Sequence, residues 1–177
     1  VYGVITEKIV NKVKFLSKKY NLKIFGDLQC SSQVGQITKF QEFSMLCPNE
    51  REARIAINEK DAGLEAISQK LIKVTNTERL LMKLGSNGFI VYDRNGHGNL
   101  VSQYFPALSV NPLDVTGAGD SVLAAMAVGI SCDQSTMITS AIAAFMASMS
   151  VEQMGNTPIN EKALVKKIQE FFNVQNF

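Results

Sequence analysis

The stretch Asp114-Val115-Thr116-Gly117-Ala118-Gly119-Asp120 carries the residue types and spacing that could do chemistry. Two glycines and an alanine leave its backbone bare, and an Ala-rich run with helical character begins directly afterwards. The first amides of a helix have no intrahelical acceptor, and the helix dipole adds partial positive charge there. Such a start holds an anion, typically a phosphoryl group. Asp120 at the mouth of that hole would repel a phosphate if binding were the only task. It makes sense as the group that takes a proton from a hydroxyl attacking phosphorus, because phosphoryl transfer otherwise needs mostly positioning and charge stabilisation.

Other readings fit parts of the same stretch. Gly117-x-Gly119-x-x-Val122 is two-thirds of a dinucleotide fingerprint, which would suit a nucleotide-dependent oxidoreductase. It lacks the third small residue, does not follow directly on a clear strand, and has no acid about 20 residues on. No Gly-Lys-Ser/Thr ending is present, so the stretch is not a P-loop. A glycine turn followed by a helix-capping Asp would need no ligand at all.

The elements that must position this loop follow from periodicity. Thr6 can cap a helix over residues 7–20 whose Ile9, Val13, Leu16 and Tyr20 fall on one face. Leu22–Phe25 and Phe43–Cys47 read as strands, the first ending at Gly26-Asp27 and the second stopped by Pro48; the polar segment Gln29–Gln36 reads as a loop. A helix is expected from Asn49 and another from Asp61, with Leu64, Ile67, Leu71 and Val74 inward. Leu80–Leu84 and Phe89–Asp93 read as strands around the turn Gly85-Ser86-Asn87-Gly88; a second turn around His97 leads into a strand at Leu100–Phe105. Helices are expected over about 119–130, 135–149 and 160–172, with alanines that permit close helix packing. Strands alternating with helices predict an α/β layered domain with a mainly parallel sheet and one hairpin-like part.

Composition bounds the rest. The 177 residues are 46% hydrophobic and 19% charged, enough apolar material for a sizeable core and against intrinsic disorder. The formal charge of +2 is too small for a nucleic-acid footprint. The longest apolar stretch, Val122–Met149, is broken by Ser131–Thr136, and neither piece reaches the roughly 18–20 residues of a membrane span. Cys30, Cys47 and Cys132 share no metal-type spacing, and one His makes a zinc site improbable; reduced thiols in a cytoplasmic protein are expected.

Asp-x-Thr-Gly-Ala-Gly-Asp opening an Ala-rich helix resembles the signature of the ribokinase-like (PfkB) sugar kinases. Three further segments resemble that family in order and separation. They are Cys47-Pro48-Asn49-Glu50-Arg51-Glu52-Ala53, Leu84-Gly85-Ser86-Asn87-Gly88 and Gly155-Asn156-Thr157-Pro158. The resemblance implies that Asp120 is the catalytic base, and that the amides of Gly117, Ala118 and Gly119 form the anion hole. It makes Asn49 and Glu52 organisers of Mg²⁺, through water, around the phosphates of ATP, although Asn-x-x-Glu is also a helix capping box. Gly85 and Gly88 match the loop beside the nucleotide, and are also what a tight strand-to-strand turn needs. Lys83 stands where the family often has Thr; it could reach a nucleotide phosphate or snorkel to water. Ala143 falls where a helix passes near the adenine, with plain helix packing as the alternative. Asp114, with backbone carbonyls around Ser150 and Gly155, resembles a monovalent-cation (K⁺) site. Asp27 departs from the frequent Asp-Pro-Asn or Asp-Pro-Lys pattern, being followed by Leu28-Gln29-Cys30, which leaves the sugar undefined.

Family members run longer than this chain, and their N-terminal sugar-binding half and lid have no counterpart here. Tyr2-Gly3-Val4-Ile5-Thr6 matches a mid-chain region only loosely. The resemblance therefore implies a C-terminal, nucleotide-binding half of a ribokinase-like layered sheet with flanking helices. Such a half would form a homo-oligomer, pair with the N-terminal segment or be a stable piece left by proteolysis, since open sheet edges and apolar surface are usually covered. The implied activity is ATP-dependent phosphorylation of a sugar or sugar-phosphate hydroxyl. The alternative is a catalytically silent nucleotide-binding or assembly module.

Overall fold

Phe25–Gly26 (β1), Met45–Leu46 (β2), Arg79–Lys83 (β3), Phe89–Arg94 (β4) and Leu100–Phe105 (β5) form one sheet in chain order. The computed structural model describes residues 5–27, 37–94, 98–109, 111–155 and 157–174. The expectations for Tyr2–Val4, Gln29–Gln36, Cys30, His97 and Asn156 lie outside the described residues. β1, β2 and β3 run parallel, with Phe25 opposite Met45 and Met45 opposite Arg79. β3 and β4 are antiparallel, with Leu81 opposite Val91. The sheet is mixed: three parallel strands and a β3–β4 hairpin, where the alternation of elements predicted a mainly parallel sheet with one hairpin-like part. Leu80, Leu81 and Met82 have no exposed surface, as suits a strand with both faces covered.

Six helices accompany the sheet among the described residues: α1 (Glu7–Tyr20), α2 (Glu50–Ile57), α3 (Leu64–Thr75), α4 (Ala118–Ser131), α5 (Thr136–Val151) and α6 (Glu161–Val174). The chain divides into two compact units. One holds Val1–Gly85 with Phe89–Gln103, the other Ser86–Gly88 with Tyr104–Phe177. In the first, Leu46, Leu80 and Met82 of the sheet pack with Ala53 of α2 and Ile67 and Leu71 of α3. In the second, α4 and α5 form a tight pair, and Phe171 of α6 meets Phe145 of α5 edge to face at 5.2 Å. A Cβ built on Gly129 would stand 2.4 Å from Thr139 Cγ2, so α4 and α5 approach closely at this point.

Three local expectations are corrected. The first strand is only Phe25–Gly26, because Leu22 closes α1 instead: its N–H donates to Ser17 O at 2.9 Å after Asn21 turns left-handed. α3 begins at Leu64 behind Gly63 rather than at Asp61, and buries Ile67, Ser68, Leu71, Ile72 and Thr75. Val74, about 90° around the helix from the centre of that stripe, is 45% exposed.

The third correction concerns the face of α1. Thr6 caps it as expected, accepting from Ile9 N. Yet Ile9, Val13 and Tyr20 are exposed, and Val10 is its one buried residue. The reason lies in what anchors the helix. Lys14 and Lys18 both reach Glu42, and Ser17 Oγ donates to Leu22 O. Around the helix Ser17 lies about 70°, Lys14 about 130° and Lys18 about 170° from the apolar stripe, so polar contacts turn that stripe away from the first unit's core.

Candidate active site

In a parallel sheet the carboxyl ends of neighbouring strands share one edge, the edge where open α/β sheets take ligands. From the ends of β1, β2 and β3 the chain presents Asp27, Cys47-Pro48-Asn49 and Lys83. Asn49 is the N-cap of α2 and accepts from Glu52 N at 2.8 Å; Glu52 returns the contact by accepting from Asn49 N at 2.7 Å. The capping box is thus formed, and Glu52 is only 3% exposed. Lys83 N donates to Pro48 O at 2.8 Å, and Lys83 pairs with Asn49 in a parallel bridge. The α2 start and the end of β3 are thereby locked side by side.

The Lys83 side chain is where sequence reasoning missed a partner. Its Nζ lies 2.7 and 2.6 Å from the two carboxylate oxygens of Asp27, so it neither snorkels to water nor stands alone. Burial, and then the Asp27 carboxylate, push the Cys47 thiol well above the usual range, with the Lys83 ammonium opposing them. Cys47 is therefore an inert core thiol. Opposite charges at two strand ends were the available signal, and it becomes readable only once the strand order is known.

A carboxylate accepts up to about four hydrogen bonds, so the capping bond does not exhaust Glu52. Mg²⁺ takes oxygen ligands and usually keeps several waters, and Asn49 and Glu52 fit that water-mediated role. Among the described residues no group of three or more His, Cys, Asp or Glu side chains is gathered to bind a metal directly.

Gly85 opens a short 3₁₀ turn, Gly85–Asn87, and Gly88 follows it; both have positive φ, +61° and +89°. Gly88 is also constrained by space, since Phe105 O and Ala107 N occupy the position a Cβ would need. Tyr104 closes the same turn by donating its hydroxyl to Asn87 O at 2.6 Å.

In the second unit, α4 starts behind Gly117, whose φ of +81° places it in the left-handed region and whose lack of a side chain leaves the helix uncapped. Ser121 N turns back to Gly117 O at 2.9 Å. Ala118 N points to Val115 O at 3.4 Å, so of the three expected anion-hole amides this one is already directed at a backbone carbonyl. Asp120 is exposed in the first helical turn. It is not the N-cap, which removes the reading of this stretch as a glycine turn with a capping Asp. No strand runs through the described residues between β5 and α4, which also counts against a dinucleotide fingerprint.

Asp114 folds the base of the loop. Its Oδ1 accepts from Thr116 N at 2.9 Å and its Oδ2 from Gly155 N at 3.2 Å. Those bonds, Thr116 first, hold its carboxyl below the usual range. Leu113 N and Asp114 N both donate to Val151 O, next to the buried Ser150. Asp114, Val151 and Gly155 are thus brought together, but Gly155 offers its N–H, while its carbonyl accepts from Thr157 N at 3.1 Å. For a monovalent cation the Asp114 oxygens fit, and the Gly155 carbonyl, which accepts one bond, keeps a second lone pair. Ala143 has no exposed surface, which fits the helix-packing alternative.

Comparison with known proteins gives the chain a family. The profile described as pfkB family carbohydrate kinase covers residues 12–163. Bifunctional protein HldE from Sulfurimonas denitrificans is 28% identical over 173 residues, 96% of this chain and 33% of that protein. The HldE of Geotalea uraniireducens is 23% identical over 169 residues, again 33% of its length. The structure of Arabidopsis thaliana ribokinase complexed with ribose and ATP superposes with a TM-score of 0.75 at 26% identity. That match covers 91% of this chain and 52% of ribokinase. Escherichia coli phosphofructokinase-2 in complex with potassium shares the fold at a TM-score of 0.75 and 15% identity, covering 96% of this chain and 53% of that one. The chain therefore spans about a third of the curated relatives and about half of these solved structures. With a ribokinase-like fold and a family match running through most of its length, the chain belongs to the pfkB family of carbohydrate kinases.

Proposed function

We propose that this chain is the nucleotide-binding and catalytic part of a kinase that moves the γ-phosphoryl group of ATP to a hydroxyl of a sugar or sugar phosphate. The observation that carries the reading is the uncapped, glycine-led start of α4 with Asp120 exposed in its first turn. The substrate oxygen bonds to the γ-phosphorus, the bond to the ADP oxygen breaks, and Asp120 takes the hydroxyl proton. The amides of Gly117 and Gly119 stabilise the transferring group, and Ala118 joins them only by giving up Val115 O. Asn49 and Glu52 would hold Mg²⁺ through water, and the ion would supply charge neutralisation at the phosphates. Lys83, Gly85 and Gly88 flank the nucleotide. A monovalent cation, if used, takes Asp114. Ribokinase complexed with ribose and ATP supports both substrate classes.

Because the chain spans about half of that ribokinase, the second reading is a nucleotide-binding or assembly module without turnover of its own. The uncovered stripe of Ile9, Val13 and Tyr20 suits a face for a further part of the same kinase domain, with a homo-oligomer as the other outcome of sedimentation analysis. Absence of a membrane-crossing helix among the described residues fits a kinase working in the cytoplasm.

The deciding experiment is Asp120→Asn in a coupled ADP-release assay with a panel of sugars. Turnover should fall by about 10²–10⁴ while Mg-ATP binding stays within about twofold. Unchanged turnover overturns the assignment of Asp120. Mg-ATP binding with no sugar-dependent turnover in the parent favours the module.

A further inference from the structure

Two opposite charges stand on the carboxyl edge of the sheet with most of their side chains out of water. Lys83 Nζ donates to both oxygens of Asp27, and 22% and 19% of the two side chains are exposed. Desolvating both charges offsets much of their attraction, so such a pair is a weak stabiliser. Its geometry says more. An ammonium has three N–H donors; with Nζ 2.7 and 2.6 Å from the two oxygens of one carboxylate, the donors not facing Asp27 are directed away from it. The Lys83 backbone is equally constrained by its bond to Pro48 O and its bridge to Asn49. The ammonium thus leaves the strand end that adjoins the α2 capping box, and it is aimed by a residue at the end of β1.

Resting on the reading of Lys83 as a nucleotide-binding residue, we propose that Asp27 is the positioning residue that orients the Lys83 ammonium toward a phosphate oxygen of the nucleotide. A lysine by itself is a point charge on a flexible stem. One already fixed by a carboxylate loses less freedom when it meets an anion. The pair is neutral as a unit, so it meets the phosphate as an oriented donor and not as a net negative charge. The ligand class is a nucleoside di- or triphosphate, and the nucleoside without phosphates gains nothing from the pair.

Calorimetric titration of the full chain with Mg-ATP and with adenosine tests this. Lys83→Met should weaken Mg-ATP about tenfold, the loss of one charge-assisted contact, and leave adenosine unchanged. Equal Mg-ATP affinity in parent and Lys83→Met overturns the reading of Lys83 itself. With that step passed, Asp27→Asn should weaken Mg-ATP about fivefold, Asp27→Glu should recover part of the loss, and Asp27→Asn should add nothing in the Lys83→Met background. Parent-like Mg-ATP affinity in Asp27→Asn overturns the positioning role alone. So does a loss that persists in the Lys83→Met background, which marks a merely structural effect. The Asp27→Asn/Lys83→Met chain leaves no charge of the pair uncompensated, so the comparison survives even where a single variant folds poorly.

Discussion

The backbone of Gly88 runs so close to Phe105 that a Cβ on Gly88 would stand 2.1 Å from the Phe105 carbonyl oxygen. The positive φ of Gly88 adds a second reason for glycine there, whereas Gly85 has a positive φ but open space around its Cβ position. Gly88→Ala should therefore cost about 3 kcal/mol or more, through clash and strain together, and Gly85→Ala about 1–2 kcal/mol through strain alone. Urea denaturation of the two variants checks the order, and equal losses would contradict it.

Asn49 has a structural role that can be separated from the proposed metal role. Asn49→Ala removes the acceptor for Glu52 N and should cost about 1 kcal/mol. Asn49→Ser keeps a capping oxygen and should stay within a few tenths of a kcal/mol of the parent. If Asn49 also orders water around Mg²⁺, the Ser variant should keep its stability and lose Mg-ATP affinity. Thermal melts and titrations on the same samples read both.

Gly129 sets two effects against each other. Alanine in a helix interior is favoured over glycine by about 1 kcal/mol. The new methyl, however, meets Thr139, a stiff β-branched residue that is only 3% exposed. Overpacking of this kind costs about 1–3 kcal/mol, so Gly129→Ala should be net destabilising. Adding Thr139→Ala should restore part of the loss, a non-additivity measured by a double-mutant cycle.

Glu42 gives a pH dependence. Hydrogen bonds from Lys18 and Lys14, and then their charges, hold its carboxyl below the ordinary range. A carboxyl with a lowered folded-state pKa contributes stability above its unfolded value of about 4.3. That contribution is lost as pH falls through the folded value. Lys14→Met with Lys18→Met should move the Glu42 titration upward in NMR. High salt should do the same in part, because the pair is exposed. A Glu42 titration unmoved by either change would contradict the pairing.

Legibility from sequence followed the range of each interaction. The capping box of Asn49 and Glu52 joins residues three apart, so the spacing announces it. The glycine-led start of α4 is equally local, and Gly117-Ala118-Gly119-Asp120 predicts it directly. The Lys83–Asp27 pair joins residues 56 positions apart, and nothing in either neighbourhood reveals it until β1, β2 and β3 are ordered. The outward turn of Ile9, Val13 and Tyr20 was hidden for a related reason. Periodicity tells that a helix has an apolar face, but the contacts of Lys14, Lys18 and Ser17 decided which face met the first unit's core.

By itself the sequence determined the family, the order of elements, the glycine-led start of α4 and the cap of α2, because each is written in short-range spacing and residue type. Only the tertiary structure decided that Lys83 is held by Asp27, that Ala118 turns its amide to Val115, that Gly155 offers Asp114 an N–H, and that Ala143 is buried. Those outcomes depend on which strand ends, carbonyls and helix faces become neighbours on folding, and on which of several competing partners a donor then reaches first.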